Sequence, residues 1–284
     1  MYYYFMIEQG CLDLLQEQAS KLKRIATTSD RWHREQYSGM LRFHDSHTLV
    51  QVSKLWNFYS RMPSDGSAYE DQQMLLHQEI QEVTRVQSQI AGDSSMLGGI
   101  RSTAPVSAMA HTDLSASYRR YWRYGVGDPS QEANTSGKKL NPMLGTTNAT
   151  LITHYATDPV LDFHLATEYA PLSSNSPLKP NEREDGALTN ACYRAAFVEF
   201  AAFAKAFRCA IPRLTIRFVA ANTLAFCHTL QHLNNSEECK AHWYQNSQTY
   251  VPLDLDSSDF HPRSDHSAPR SFDAIDTSNL VDHV

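Results

Sequence analysis

Ser271-Phe-Asp-Ala-Ile-Asp-Thr-Ser-Asn-Leu-Val-Asp-His-Val284 is the stretch on which the reading of the fold turns. Phe272, Ala274 and Ile275 make a short apolar run. Asp276, Thr277, Ser278 and Asn279 gather polar groups where it stops, and Leu280 and Val281 resume the apolar pattern. A buried strand emptying into a polar loop has this form. In open α/β sheets such loops, at the carboxyl ends of strands, are where ligands bind.

A second unit of the same form lies just upstream. Leu214-Thr-Ile-Arg-Phe-Val219 reads as a strand, Ala-Ala-Asn-Thr as its loop, and Leu224 to Leu233 as a helix. Before it, Asp185 is placed to cap a helix running to about Arg208, with Cys192, Ala196, Phe200, Phe203 and Phe207 on the face expected to be buried. Phe200, Phe203 and Phe207 are expected to pack on the strands at 214–219 and 272–275. Helix, strand, helix and strand thus follow one another from 187 to the end, an order that implies parallel pairing and a right-handed crossover. Tyr250-Val-Pro-Leu-Asp-Leu255 lies between, and Pro252 confines it to a sheet edge.

The first half reads differently. Residues 2–26 carry a helical stripe of Ile7, Cys11, Leu14, Leu15, Leu22 and Ile25. Met40-Leu-Arg-Phe43 has the pattern of a short strand. Asp45 or Ser46 then caps a helix with Leu49, Val52, Trp56 and Tyr59 on one side. Pro63-Ser-Asp-Gly66 ends it, and Ser67-x-x-Glu70 is a capping box for a third helix striped by Leu76, Ile80, Val83, Val86 and Ile90. A loop at 92–105 and a fourth helix at about 107–124 follow. Gly125 to Gly145 is polar and rich in Gly, Pro, Ser and Asn, the composition of an exposed connection. Beyond it, 150–155 reads as a strand, 161–169 fits either type, and 171–180 is a proline- and serine-rich loop.

Composition narrows the function classes. The 284 residues are 42% apolar and 11% aromatic, as in a folded globular protein. A formal charge of −6 supplies no overall basic field for nucleic acid or an anionic membrane. Cys11, Cys192, Cys209, Cys227 and Cys239 are few, odd in number and scattered. With no signal peptide after Met1, they point to a reducing, cytoplasmic home. No run reaches the ~20 apolar residues of a membrane span.

Several constellations have two readings. Asp276, Ser278, Asn279 and Asp282 form a polar cluster at a strand end, suited to a cofactor or substrate; ordinary turn chemistry, with Ser278 or Asn279 as a helix cap, accounts for the same residues. His228 and His232, four apart, could share a metal ion with Cys239 and His242. That spacing fits no closed tetrahedral site, however, and Cys227 points away from His228, so no metal is expected. Tyr118-Arg-Arg-Tyr-Trp-Arg-Tyr124 mixes rings and bases, as single-strand nucleic-acid surfaces do. On a helix its rings gather with Leu114 as a core stripe, which is the favoured reading. Gly125-x-Gly127 and Gly137-Lys138 each lack glycines that phosphate loops need. Asp254, Asp256 and Asp259 could ligate a cation but read as a solvated acidic loop. No Gly-x-Ser-x-Gly elbow, His-Glu-x-x-His or EF-hand loop is present.

Some stretches resemble a family of uncharacterised fungal proteins in which a domain of unknown function precedes a helical region and often a MYND-type zinc finger. The domain is shared with dynein axonemal assembly factors. The matching pieces are Gly99-Ile-Arg-Ser-Thr-Ala-Pro105, Tyr121-Trp-Arg-Tyr-Gly-Val126, Asn141-Pro-Met143, His154-Tyr-Ala-Thr-Asp-Pro159, Phe163-His-Leu-Ala166, Leu224-Ala-Phe-Cys-His-Thr-Leu-Gln231 and Phe272 to His283. The likeness covers about Phe43 to the end, and its last piece is the most specific. The family is similar to class I methyltransferases, which bind S-adenosylmethionine at the ends of parallel strands. That implies Val219 to Thr223, with Asn222 and Thr223, near the adenine loop, and Asp276, Ser278, Asn279 and Asp282 near the reacting methyl group. Asn222 stands where such folds commonly carry an adenine-contacting Asp. The first strand and its glycine loop would lie upstream of Met1, and the MYND finger is missing, so the expectation is a truncated internal piece.

Together these readings imply an α/β fold: a mainly helical region over 1–145, and over 146–284 a Rossmann-like, methyltransferase-like half domain truncated at its C-terminus. The function they imply is a protein-binding or assembly module on a degenerate methyltransferase-like fold, with a protein partner, no membrane, no nucleic acid and no cofactor in this chain. The alternative is a fragment of an S-adenosylmethionine-dependent methyltransferase, active only in its intact parent; no catalytic residue can be assigned.

Overall fold

The structure, a computed structural model, describes residues 4–91, 121, 124–125, 138–145, 187–236, 240–246, 249–260 and 268–273. In chain order the elements are β1 (Met6–Ile7), α1 (Gln9–Ile25), α2 (Ser29–Trp32), β2 (Leu41–Phe43), α3 (Ser46–Arg61), α4 (Gly66–Ala91), β3 (Lys139–Leu140), α5 (Ala187–Ala210), β4 (Ile216–Phe218), α6 (Thr223–Ser236), β5 (Lys240–Asn246), β6 (Thr249–Asp254) and α7 (Ser257–Phe260). The expectations for 92–105, 126–137, 150–155, 161–169 and 171–180 lie outside the described residues. Within the expected helix at 107–124, Tyr121 and Tyr124 are described and helical. Two compact units are present: Met1–Leu22 with Leu55–Ile211, and Lys23–Lys54 with Pro212–Val284. The boundary expected at 145–146 adjoins a stretch outside the described residues.

In the first unit the expected helix over 2–26 is corrected at its start. Met6 and Ile7 are extended and pair antiparallel with Leu140 and Lys139, and α1 begins only at Gln9. The preceding aromatic residues favour extended backbone, and their polar groups have partners there. Asn141 N–H donates to the Phe5 carbonyl at 2.8 Å and Asn141 Nδ2 to the Tyr4 carbonyl at 3.0 Å. Met6 N–H donates to the Gly125 carbonyl at 3.2 Å. Gly125 has φ +71°, and a Cβ there would come within 2.5 Å of Met6 Cγ, so glycine is required on both counts.

The exposed connection expected over 125–145 is also corrected for the part described. Lys138, Leu140, Asn141 and Pro142 are buried. Composition misleads because each polar group finds an internal partner: Asn141 Oδ1 accepts from Met143 N–H at 3.0 Å, and Lys139 Nζ donates to the Ser64 carbonyl at 2.6 Å while lying 5.2 Å from the Tyr69 ring centroid. The core here is Phe5, Met62, Tyr69, Leu76, Tyr121 and Leu140, with Phe5 and Tyr121 rings 5.3 Å apart. α4 begins at Gly66, one residue ahead of the expected cap at Ser67.

α5 belongs to this unit, and the stripe expected to be buried is exposed at Phe200 and Phe203 and half-buried at Ala196 and Phe207, the Cys192 side chain lying outside the described residues. Phe197, Phe200 and Phe203 are 76%, 43% and 63% exposed, and Val198 is exposed beside them. Ala195, on the other side of the helix by its 3.6-residue period, is buried. Periodicity identifies an apolar face; it does not say that anything covers it.

In the second unit β2 and β4 form a parallel pair in the register Leu41↔Ile216, Arg42↔Arg217 and Phe43↔Phe218. Side chains alternate across a strand, so one face carries the Phe43 and Phe218 rings, stacked at 5.6 Å, and the other the two arginines. Trp32 meets Phe43 edge-on at 5.1 Å and donates from Nε1 to the Leu41 carbonyl at 3.0 Å. β5 and β6 form an antiparallel pair with Tyr244 opposite Pro252. Leu253 and Leu255 then enter a core with Leu230, Leu233, Phe260 and Ala268. The strand expected to start at Phe272 is corrected at its first two residues: neither Phe272 nor Asp273 is extended in a sheet, and Phe272 is exposed.

Candidate functional site

The densest polar chemistry among the described residues lies in the second unit, at the carboxyl ends of β2 and β4. β2 delivers Arg42 and, one residue past its end, His44; Asp45 and Thr48 open α3. Asp45 caps that helix, its Oδ1 accepting from Thr48 N–H at 2.7 Å, as a short acidic side chain at an N-cap does. The sequence left the cap open between Asp45 and Ser46; the geometry assigns it to Asp45.

Thr48 Oγ1 lies 2.6 Å from His44 Nδ1 and accepts from Ala220 N–H, in the loop after β4, at 3.1 Å. His44 N–H donates to the Phe218 carbonyl at 3.1 Å, and the Phe218 carbonyl also lies 3.3 Å from Nδ1. Asp256 N–H donates to the His44 carbonyl at 2.6 Å. On its other side Nε2 is 3.3 Å from Asp45 Oδ2, a charge contact whose angle does not make it a hydrogen bond. Burial pushes the His44 imidazole below its ordinary pKa, against the opposing pull of Asp45 and of the Phe218 carbonyl, while His47 adds to the lowering. Nδ1 thus lies within hydrogen-bond reach of both the Thr48 hydroxyl and the Phe218 carbonyl, and the tautomer of the neutral ring sets which of them it bonds.

Hydroxyl, imidazole and carboxylate in sequence is the order of an activated nucleophile. Here His44 and Thr48 are each 1% exposed and Asp45 is 5% exposed. No substrate can touch an oxygen so enclosed, and the Thr48 hydroxyl is already committed to a backbone amide. What the arrangement does is lock the β2–α3 turn to the β4–α6 loop.

The other face of the strand pair carries a charge cluster. Arg42 and Arg217 sit side by side in register, an arrangement that repels. Asp259 compensates, accepting from Arg217 Nε at 2.9 Å and Nη2 at 3.0 Å, with Arg42 Nη1 at 3.9 Å from its Oδ1. Asp256 pairs with His33 Nε2 at 3.1 Å. Two members of the expected solvated acidic loop are therefore structural anions, and Asp259 is buried. The arginine partners could have been suspected from the sequence, since Arg42 and Arg217 each stand between apolar residues in a strand pattern.

Of the expected site residues, Asn222 and Thr223 are described and exposed. Asn222 caps α6: its Oδ1 accepts from Ala225 N–H at 3.1 Å and its carbonyl from Phe226 N–H at 3.0 Å. Thr223 is the first residue of that helix. Asp276, Ser278, Asn279 and Asp282 lie outside the described residues, as does Cys239; of His242 only the backbone is described. Cys227 and His228 are exposed on α6. Among the described residues no group of three or more His, Cys, Asp or Glu side chains is placed to hold a metal ion, and no helix is long and apolar enough to cross a membrane.

No family model, no curated protein and no solved structure matches the chain.

Proposed function

We propose that the chain is a cytoplasmic protein-binding or assembly module on a degenerate methyltransferase-like fold, a member of the fungal family that its motifs resemble. The observation that carries the binding reading is the exposed phenylalanine stripe of α5. A helix apolar around most of its circumference is ordinarily buried. Contiguous exposed apolar surface on a soluble protein marks an interaction site, and an aromatic side chain offers about 150–250 Å² to a partner. In support of the α/β part of the reading stand the parallel pair β2–β4 and the strand, loop and helix of β4 and α6. The loop's Asn222 spends its side chain on a helix cap rather than on a ligand.

The test is the size of the native species. Tagged chain isolated from its own cells should migrate in size-exclusion chromatography well above its 32.2 kDa mass, and the Phe197→Ser/Phe203→Ser double variant should migrate as a monomer. Co-migration of the two would defeat the proposal. Calorimetry addresses the methyltransferase alternative: saturable S-adenosylmethionine binding tighter than about 100 μM, equivalent to roughly 5.5 kcal/mol, would favour it.

A further inference from the structure

Resting on the reading of α5 as a docking element, we infer the chemistry of what docks there: a protein surface with an apolar groove and an acidic rim. Phe200, Phe203, Ala204 and Phe207 recur at the i, i+3, i+4, i+7 spacing with which a helix lies in a groove, and Phe197 extends the row by a turn. Arg194, Lys205 and Arg208 are all exposed. At about 100° per residue, the three fall together on one flank of the phenylalanine row. Glu199 lies on the other flank and is the helix's sole acidic residue.

The three cations and one carboxylate give α5 a charge of +2 (3 − 1) in a chain whose formal charge is −6. Positive flank beside exposed rings selects an acidic rim, because a basic one would set like charges together at the edge of a desolvated contact. Rim charges act chiefly on encounter rate and partner choice, while the phenylalanines supply the burial. A second copy of the chain packed antiparallel fits poorly. Antiparallel pairing about a two-fold axis brings like flank to like flank, setting the arginines and the lysine of one copy against those of the other.

The test uses the full chain and two synthetic amphipathic helical peptides with the same leucine face, one flanked by glutamate and one by lysine. Fluorescence anisotropy should give binding of the glutamate peptide at least tenfold tighter, and that preference should shrink as salt rises. Arg194→Glu/Lys205→Glu/Arg208→Glu should reverse the preference while its far-ultraviolet circular dichroism matches the parent. Phe197→Ser/Phe203→Ser should abolish binding of both peptides. Equal binding of the two peptides, lost in the phenylalanine variant, would overturn the acidic-rim inference and leave the docking reading intact. Binding of neither peptide, alongside a monomeric native species, would overturn both. Flotation with phosphatidylserine vesicles that depends on Phe197 and Phe203, without a peptide preference, would replace the acidic protein with an anionic membrane surface.

Discussion

Along α5 the residues left in solvent are phenylalanines, whereas beyond β2 the residues withdrawn from it are His44, Thr48 and Asp45. Each arrangement departs from the usual partition, and the two carry opposite energetic signs. Burying polar groups is tolerable when every one is bonded, and it makes the fold brittle there, since removing one partner strands the other. Cutting back the most exposed of these rings, Phe197 and Phe203, costs the folded state little, because most of their surface is already in water. The second unit therefore adds a few brittle polar contacts to its apolar core, and α5 presents apolar surface to solvent.

The largest expected effect breaks the polar side of this contrast. Asp259→Ala leaves Arg217 and Arg42 facing one another across the strand pair with no carboxylate between them. Removing one partner of a buried pair costs about 3–5 kcal/mol, and a urea melt should read a loss of that order. A loss under about 1 kcal/mol would mean that solvent already screens the cluster.

Thr48→Val keeps the shape and removes the hydroxyl that serves both Ala220 N–H and His44 Nδ1. The expected loss is about 1–3 kcal/mol. Thr48→Ser retains the hydroxyl and should lose less. Equal losses in the two variants would assign the effect to the missing methyl rather than to the lock.

His44 gives the lock a pH dependence. Its folded-state pKa is lowered, first by burial, from the ordinary 6.5. As pH falls through 6.5 the unfolded chain takes up a proton that the folded chain refuses, so stability is present above that value and lost progressively below it, down to the lowered folded pKa. One such proton contributes at most about 1.4 kcal/mol per pH unit. Melts at about pH 7.5 and about pH 5.5 should show a steeper decline in the parent than in His44→Asn. Parallel declines would show that other groups carry the dependence.

Much of the secondary structure was legible beforehand because helices announce themselves locally. The apolar period marked α1, α3, α4, α5 and α6, and a cap at Asp45 or Ser46 was visible, which the geometry gives to Asp45. The pairing of β2 with β4 was not legible: each strand had a pattern, but Leu41 and Ile216 are joined by no local signal, and register is a property of the folded sheet. Asn222 shows a different gap. Its place just before a helix is what an N-cap looks like, yet the resemblance drew it toward a cofactor. The Arg42–Asp259–Arg217 cluster required the pairing first. The loop residues at 276–282, which lie outside the described residues, rest mainly on resemblance.

The smallest expected effect tests the other side of the contrast. If the phenylalanine stripe of α5 were part of a core, truncating Phe203 would cost about 3–5 kcal/mol, as a buried ring does. Phe203 is instead 63% exposed, and its ring contacts are with Phe200 at 6.5 Å and Phe207 at 5.9 Å along the same helix. Serine and phenylalanine have nearly equal helix propensities, so backbone preference adds little. Phe203→Ser should therefore shift the urea midpoint by no more than about 0.5 kcal/mol, the range of ordinary surface substitutions. Binding of a hydrophobic dye to the folded chain should fall at the same time, because the ring is a large part of the accessible apolar surface of α5. A destabilisation beyond about 1 kcal/mol would place the ring inside a core, and it would remove the surface on which the proposed docking depends.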